Sequence, residues 1–170
     1  MAGMKSSGPI LLARYLALAF LGLIVYASLH PFTGWTLSGI SPFAFLEGGW
    51  PRYWTLFDLA VNVLAYLPFG FLLTLALARV PGRFSAAVLA TLIAAATSLM
   101  LECVQVLLPT RVPSNLDLAC NSLGGLLGAV LAHRAGPRFF PYWMAWQHRL
   151  VAPLPHAELG VDIAFECTGL

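Results

Sequence analysis

Arg52-Tyr-Trp-Thr-Leu-Phe-Asp58-Leu-Ala-Val-Asn62-Val-Leu64 continues without a charge to Ala78, and its pattern returns 59 residues later as Arg111-Val-Pro-Ser-Asn-Leu-Asp117-Leu-Ala-Cys-Asn121-Ser-Leu123. Both copies reduce to Arg-x2-Thr/Ser-x2-Asp-Leu-Ala-x-Asn-x-Leu. Each sets a carboxylate and a carboxamide at the start of a long apolar run. In a chain that is only 9% charged and 59% apolar, such groups are rare. They are expensive wherever water is excluded, so a duplicated pair of them points to a site as well as to a fold.

The rest of the chain places these runs in a membrane. A mean hydropathy of +0.82 over 170 residues does not describe a soluble domain around one core. A spanning helix needs about 20 largely apolar residues. Four segments meet that requirement: 10–29, 58–78, 84–108 and 114–132. None alternates polar with apolar residues, which excludes a barrel. The expectation is therefore an all-α, polytopic transmembrane bundle of about four spanning helices with a parallel internal repeat. It fills residues 1–136 and is followed by a tail at 137–170.

Charge sets the expected orientation. With the N-terminus inside, the cytoplasmic segments hold Lys5, Arg14, Arg79, Arg83, Arg134, Arg138 and Arg149, and the outer side holds only Arg52 and Arg111. Both termini then lie in the cytoplasm, and each repeat copy enters the membrane from outside. The first span could alternatively be a signal cleaved after Ala27. The tail opens with an aromatic and basic cluster, Arg138 to Trp146, suited to the headgroup layer, and becomes polar and partly disordered beyond Pro153. A net charge of +2 with no basic run argues against nucleic-acid binding. Cys103, Cys120 and Cys167 lack metal-ligand spacing, and the four histidines are scattered. No metal site and no cofactor are expected.

On this topology the intramembrane polar residues collect at one depth. Asp58 and Asp117 lie near the outer surface, with Asn62 and Asn121 one turn deeper, about 6 Å by helical rise. Ser98, Glu102 and Gln105 share one face of the third span near its outer end. Asp117, Asn121, Gly124 and Gly128 form a stripe on the fourth, matched on the second by Asp58, Asn62, Ala65 and Phe69. Pro68 should break a hydrogen bond to Leu64, Gly70 reads as packing, and Gly124-x3-Gly128 permits close helix contact. The stripes should turn inward around a pocket that opens outward.

Plainer readings stand beside this one. Thr55-x2-Asp58 and Ser114-x2-Asp117 have capping-box spacing. Asn62 and Asn121 lie past the caps, where bonds between helices are as reasonable as ligand contact. Glu102 sits about 9 Å inside the end of its span. It is therefore protonated, paired with Arg111, or facing a wet cavity.

In order and spacing, Asp58-x3-Asn62-x5-Pro68-x-Gly70, Glu102-x2-Gln105 and Arg111-x5-Asp117-x3-Asn121-x2-Gly124-x3-Gly128 resemble the VanZ-like membrane proteins. The likeness covers about 29–132. It implies a small multi-pass protein of the bacterial cytoplasmic membrane with a role in the cell envelope. The family's namesake is an accessory protein associated with resistance to the glycopeptide teicoplanin.

Three functions compete at this point. The first is a non-enzymatic pocket for an envelope component such as a lipid-linked precursor or a lipophilic glycopeptide. Arg52 or Arg111 would meet its anionic group, and Asn62 and Asn121 would supply hydrogen bonds. The second is a membrane-embedded enzyme with Glu102 and Asp117 as acid and base. No Ser–His pair or cysteine base supports a defined reaction, and the reading leans away from catalysis. The third is an ion-coupled transporter, for which four spans require a homo-oligomer.

Overall fold

The structure, a computed structural model, describes residues 8–37 and 39–151, with side chains at 10–37 and 39–135. Lys5, Cys167, the side chains of the 138–146 cluster and the chain beyond Pro153 lie outside these residues. The described chain forms α1 (Gly8–Leu29), a single turn α2 (Ala44–Glu47), α3 (Leu56–Ala76), α4 (Arg83–Gln105) and α5 (Asn115–Val151). No strand occurs among the described residues.

Four of these helices are long and apolar enough to cross a membrane: Ile10–Leu29, Leu56–Ala76, Arg83–Gln105 and Asn115–Ala135. Their outward faces carry Leu18, Leu23, Leu64, Leu92 and Met100, all well exposed. A water-soluble bundle would turn such residues inward, whereas a lipid-facing one has no reason to. The fourth helix does not stop at Ala132. Its backbone continues to Val151, about 55 Å at 1.5 Å per residue, well beyond a hydrocarbon core of about 30 Å.

α3 and α5 pack most extensively, and they run parallel. Gly124 lies against Val63 and Tyr66, and Gly128 one turn further on lies against Leu67 and Phe71. The Val63 and Leu67 contacts have an offset of 61 and the Tyr66 and Phe71 contacts offsets of 58 and 57, close to the repeat's own 59, so the two copies meet nearly side by side. A Cβ on Gly70 would come within 2.8 Å of the Gly125 Cα and carbonyl carbon, so these backbones approach as only glycine permits. α4 joins the pair on its alanine side, with Ala90 and Ala94 fully buried.

α1 lies antiparallel to α3: near its start Arg14 donates to the carbonyl of Ala76 at the far end of α3 (3.4 Å). The core combines Ile24 and Leu29 of α1, Tyr66 and Phe69 of α3, Ala94 and Leu101 of α4, and Leu108. Four hydroxyls within the helices are satisfied locally. Thr74, Thr91, Thr97 and Ser122 each donate to the carbonyl four residues back, the usual solution where no water is available. Gly82, at φ +84°, supplies the left-handed turn that starts α4.

Candidate binding site

The two repeat copies begin their helices differently. At α3, Thr55 and Asp58 form a complete capping box. The Asp58 amide donates to Thr55 Oγ1 (3.1 Å), and the Thr55 amide and hydroxyl return to Asp58 Oδ2 (2.9 and 2.8 Å). At α5 only half of that device is local. Ser114 Oγ accepts from the amides of Leu116 (3.2 Å) and Asp117 (3.3 Å). The Ser114 amide, which the aspartate of a closed box would take, instead donates to Glu102 Oε2 on α4 at 2.9 Å.

The exchange has two effects. Glu102, buried to 3% exposure, gains a hydrogen bond inside the bundle. Asp117 is released from capping, and its carboxylate lies beside Asn62 of the other copy. It is also within electrostatic range of Asp58 and Glu102. Asp58, Asn62 and Asp117 share a cavity of about 540 Å³ between the start of α3, the start of α5 and the preceding loops. Phe45, Tyr53, Trp54 and Phe57 contribute aromatic walls. Asn115 Nδ2 bonds the Gly48 carbonyl at 2.9 Å and ties the loop before α3 to α5 beside the cavity. The N-terminal ends of both helix dipoles offset the two aspartates.

Below the cavity lies a second polar layer. Asn121 Nδ2 donates to Ser98 Oγ at 2.9 Å, joining α5 to α4. The Tyr66 hydroxyl approaches Ser98 and Glu102 from α3. Asn121 Oδ1 is buried without a hydrogen-bond partner.

The remaining residues go elsewhere. Gln105 reaches α1, donating to the Ser28 carbonyl at 3.1 Å. Arg111 does not turn to Glu102. Its guanidinium donates to the carbonyls of Ala27 (2.8 Å) and His30 (2.7 and 3.1 Å), which the end of α1 would otherwise leave unpaired. It also borders a separate cavity of about 440 Å³ across Phe45. Arg52 is exposed and does not line the first cavity.

Sequence periodicity missed two elements of the site. The inward stripe of α3 passes through Tyr66, four residues after Asn62, whereas Ala65 is exposed. Of the aromatic walls, Tyr53, Trp54 and Phe57 lie inside the first repeat copy and Phe45 shortly before it, so their proximity was the available signal.

Four apolar helices and an inward-facing polar layer define a multi-pass membrane protein. A family model described as VanZ/LLP1 matches residues 13–136, and the chain belongs to that family. No curated protein and no solved structure matches it.

Proposed function

We propose that the protein is an accessory component of the bacterial cytoplasmic membrane that binds an envelope molecule at its outer face, with both termini in the cytoplasm. The observation that carries this reading is the release of Asp117 from capping into a cavity shared with Asp58, Asn62 and aromatic side chains. Carboxylates only accept hydrogen bonds, so the matching ligand presents donors. Hydroxyl and amino groups on a ring that can lie against Tyr53, Trp54 or Phe57 fit this chemistry, as in a sugar or amino-sugar head. A lipid-linked precursor or a lipophilic glycopeptide offers such groups together with an apolar part for the surrounding bilayer. On this reading teicoplanin resistance, the trait tied to the family's namesake, would follow from occupancy of the site.

Binding is favoured over catalysis because Glu102 does not line the cavity. An acid–base pair with Asp117 would have one member out of reach of the substrate. The test is equilibrium binding of a lipid-linked amino-sugar precursor and of teicoplanin to the protein in nanodiscs. Asp117→Asn keeps shape and removes charge. A lost charge-assisted bond of about 1.5–3 kcal/mol lowers affinity roughly 10- to 100-fold. Unchanged affinity for both ligands in Asp117→Asn, or no binding by the wild type, would overturn the reading.

A further inference from the structure

One wall of the outer cavity belongs at the same time to the outward surface of α3. Phe57 and Val61 line the cavity, yet they are 74% and 44% exposed. They lie one turn apart and share a helix face with Leu64, which is 63% exposed and stands outside the cavity. Ala65 beside it is exposed as well. The other sides of α3 are occupied: Val63, Leu67 and Gly70 meet α5, and Tyr66 and Phe69 enter the core. The exposed face of α3 therefore runs without a break into the cavity wall.

Depth decides what meets that face. Trp50, Tyr53 and Trp54 stand exposed in the chain just before α3. Amphipathic rings of this kind settle in the headgroup layer. Val61 and Leu64 follow the first residue of α3, Leu56, by about 8 and 12 Å of helical rise, which places them in the hydrocarbon. Asn62, the next residue after Val61, lines the cavity at the same level, with Asp117 beside it. A cavity reached only from water would be closed by protein on every side at this depth. Here its side wall is two exposed apolar residues, which lipid covers at no cost and water does not.

We infer that the outer cavity opens sideways into the leaflet that surrounds the start of α3 and receives its ligand from the bilayer. The head of the ligand passes Phe57 and Val61 to reach Asn62 and Asp117, and its chain stays among the lipids along the face that Leu64 continues. The ligand class is then a membrane-anchored amphiphile, and a water-soluble sugar with the same head is a poor substitute. The choice of an amino-sugar head rests on the function proposed above, whereas the sideways opening stands on exposure and depth alone.

The opening is tested without any ligand. Single cysteines at Val61, Leu64 and Gly49 carry a spin label in full-length protein lacking Cys103, Cys120 and Cys167, in phosphatidylcholine nanodiscs. Gly49 lines the loop side of the cavity and has open space around its Cβ. Relaxation by oxygen, which concentrates in hydrocarbon, is compared with relaxation by a water-soluble nickel chelate. The label at Val61 should match Leu64, with oxygen prevailing, and differ from Gly49, where the chelate prevails. A label at Phe57 reads the same wall if the Val61 variant does not fold. A wall label that matches Gly49 would overturn the opening. The ligand class is tested by titrating dodecyl glucosaminide and methyl glucosaminide, which share one head, into the wild type in the same nanodiscs. The dodecyl compound should bind more than about tenfold tighter. Equal affinities would overturn delivery from the bilayer. If neither compound binds while oxygen prevails at Val61, the opening is upheld and the amino-sugar head is overturned.

Discussion

Gly128→Ala tests the contact on which the whole arrangement rests. A Cβ at Gly128 would stand 2.7 Å from the Phe71 amide nitrogen and 3.0 Å from the Leu67 carbonyl carbon, with the Leu67 oxygen closer still. All three are backbone atoms, so no rotamer can relieve the clash. Restoring an ordinary 3.4 Å contact requires α3 and α5 to part by about 0.7 Å from Phe71 alone, and by more from the oxygen. Overpacking of this kind costs about 1–3 kcal/mol, and a backbone obstacle belongs at the upper end. Alanine returns about 1 kcal/mol of helix propensity relative to glycine. The net expectation is a loss of about 2 kcal/mol. Gly22→Ala on α1 is the control, because nothing lies within 4 Å of its Cβ. There the propensity gain stands alone, and the variant should be neutral or up to about 1 kcal/mol more stable. Reversible unfolding in mixed micelles, followed by helical signal, reads both. Equal midpoints for the two variants would refute the argument that glycine is needed for the close approach of α3 and α5.

Two further outcomes follow from the same geometry. Arg111→Ala should cost about 1–3 kcal/mol by leaving carbonyls at the end of α1 unpaired. Hydrogen exchange should accelerate around residues 26–31 and stay unchanged in α3; unaltered protection at the α1 end would remove the capping role. Single cysteines replacing Arg52 and Arg111, in a background without other cysteines, should react with an impermeant reagent added to intact cells. Reaction only after the cytoplasmic face is opened would invert the orientation and with it the outward cavity.

The fold was largely legible because its signals are local. Apolar length located the four spans to within a few residues, apart from the fourth helix, whose backbone runs past its apolar stretch. The two Asp–Asn copies announced a parallel pair, and the glycines lie where that pair meets. The site was legible only in part. Asp58, Asn62 and Asp117 share the cavity because each copy carries them at the same register. The partner of Glu102 is a backbone amide on the far side of a loop, and no side-chain pattern encodes that. Arg111 looked like a ligand for anions because guanidinium suits them. The open carbonyls at the end of α1 suit it as well, and a sequence does not say which end of which helix lies nearest. Tyr66 escaped notice because an aromatic residue in an apolar run is ordinarily core, and its hydroxyl matters only beside Ser98 and Glu102.

The shared cap at Ser114 also bears on how the chain assembles. α3 carries everything its first turn requires, so it can reach its final form as soon as it enters the bilayer. α5 cannot, because the acceptor for its leading amide belongs to the preceding span. Until α4 and α5 close against each other, one presents a bare amide and the other a carboxylate in lipid. A single 2.9 Å contact therefore retires two liabilities at once. The duplicated element has thereby become two different parts, one that starts a helix by itself and one that registers that the bundle is complete.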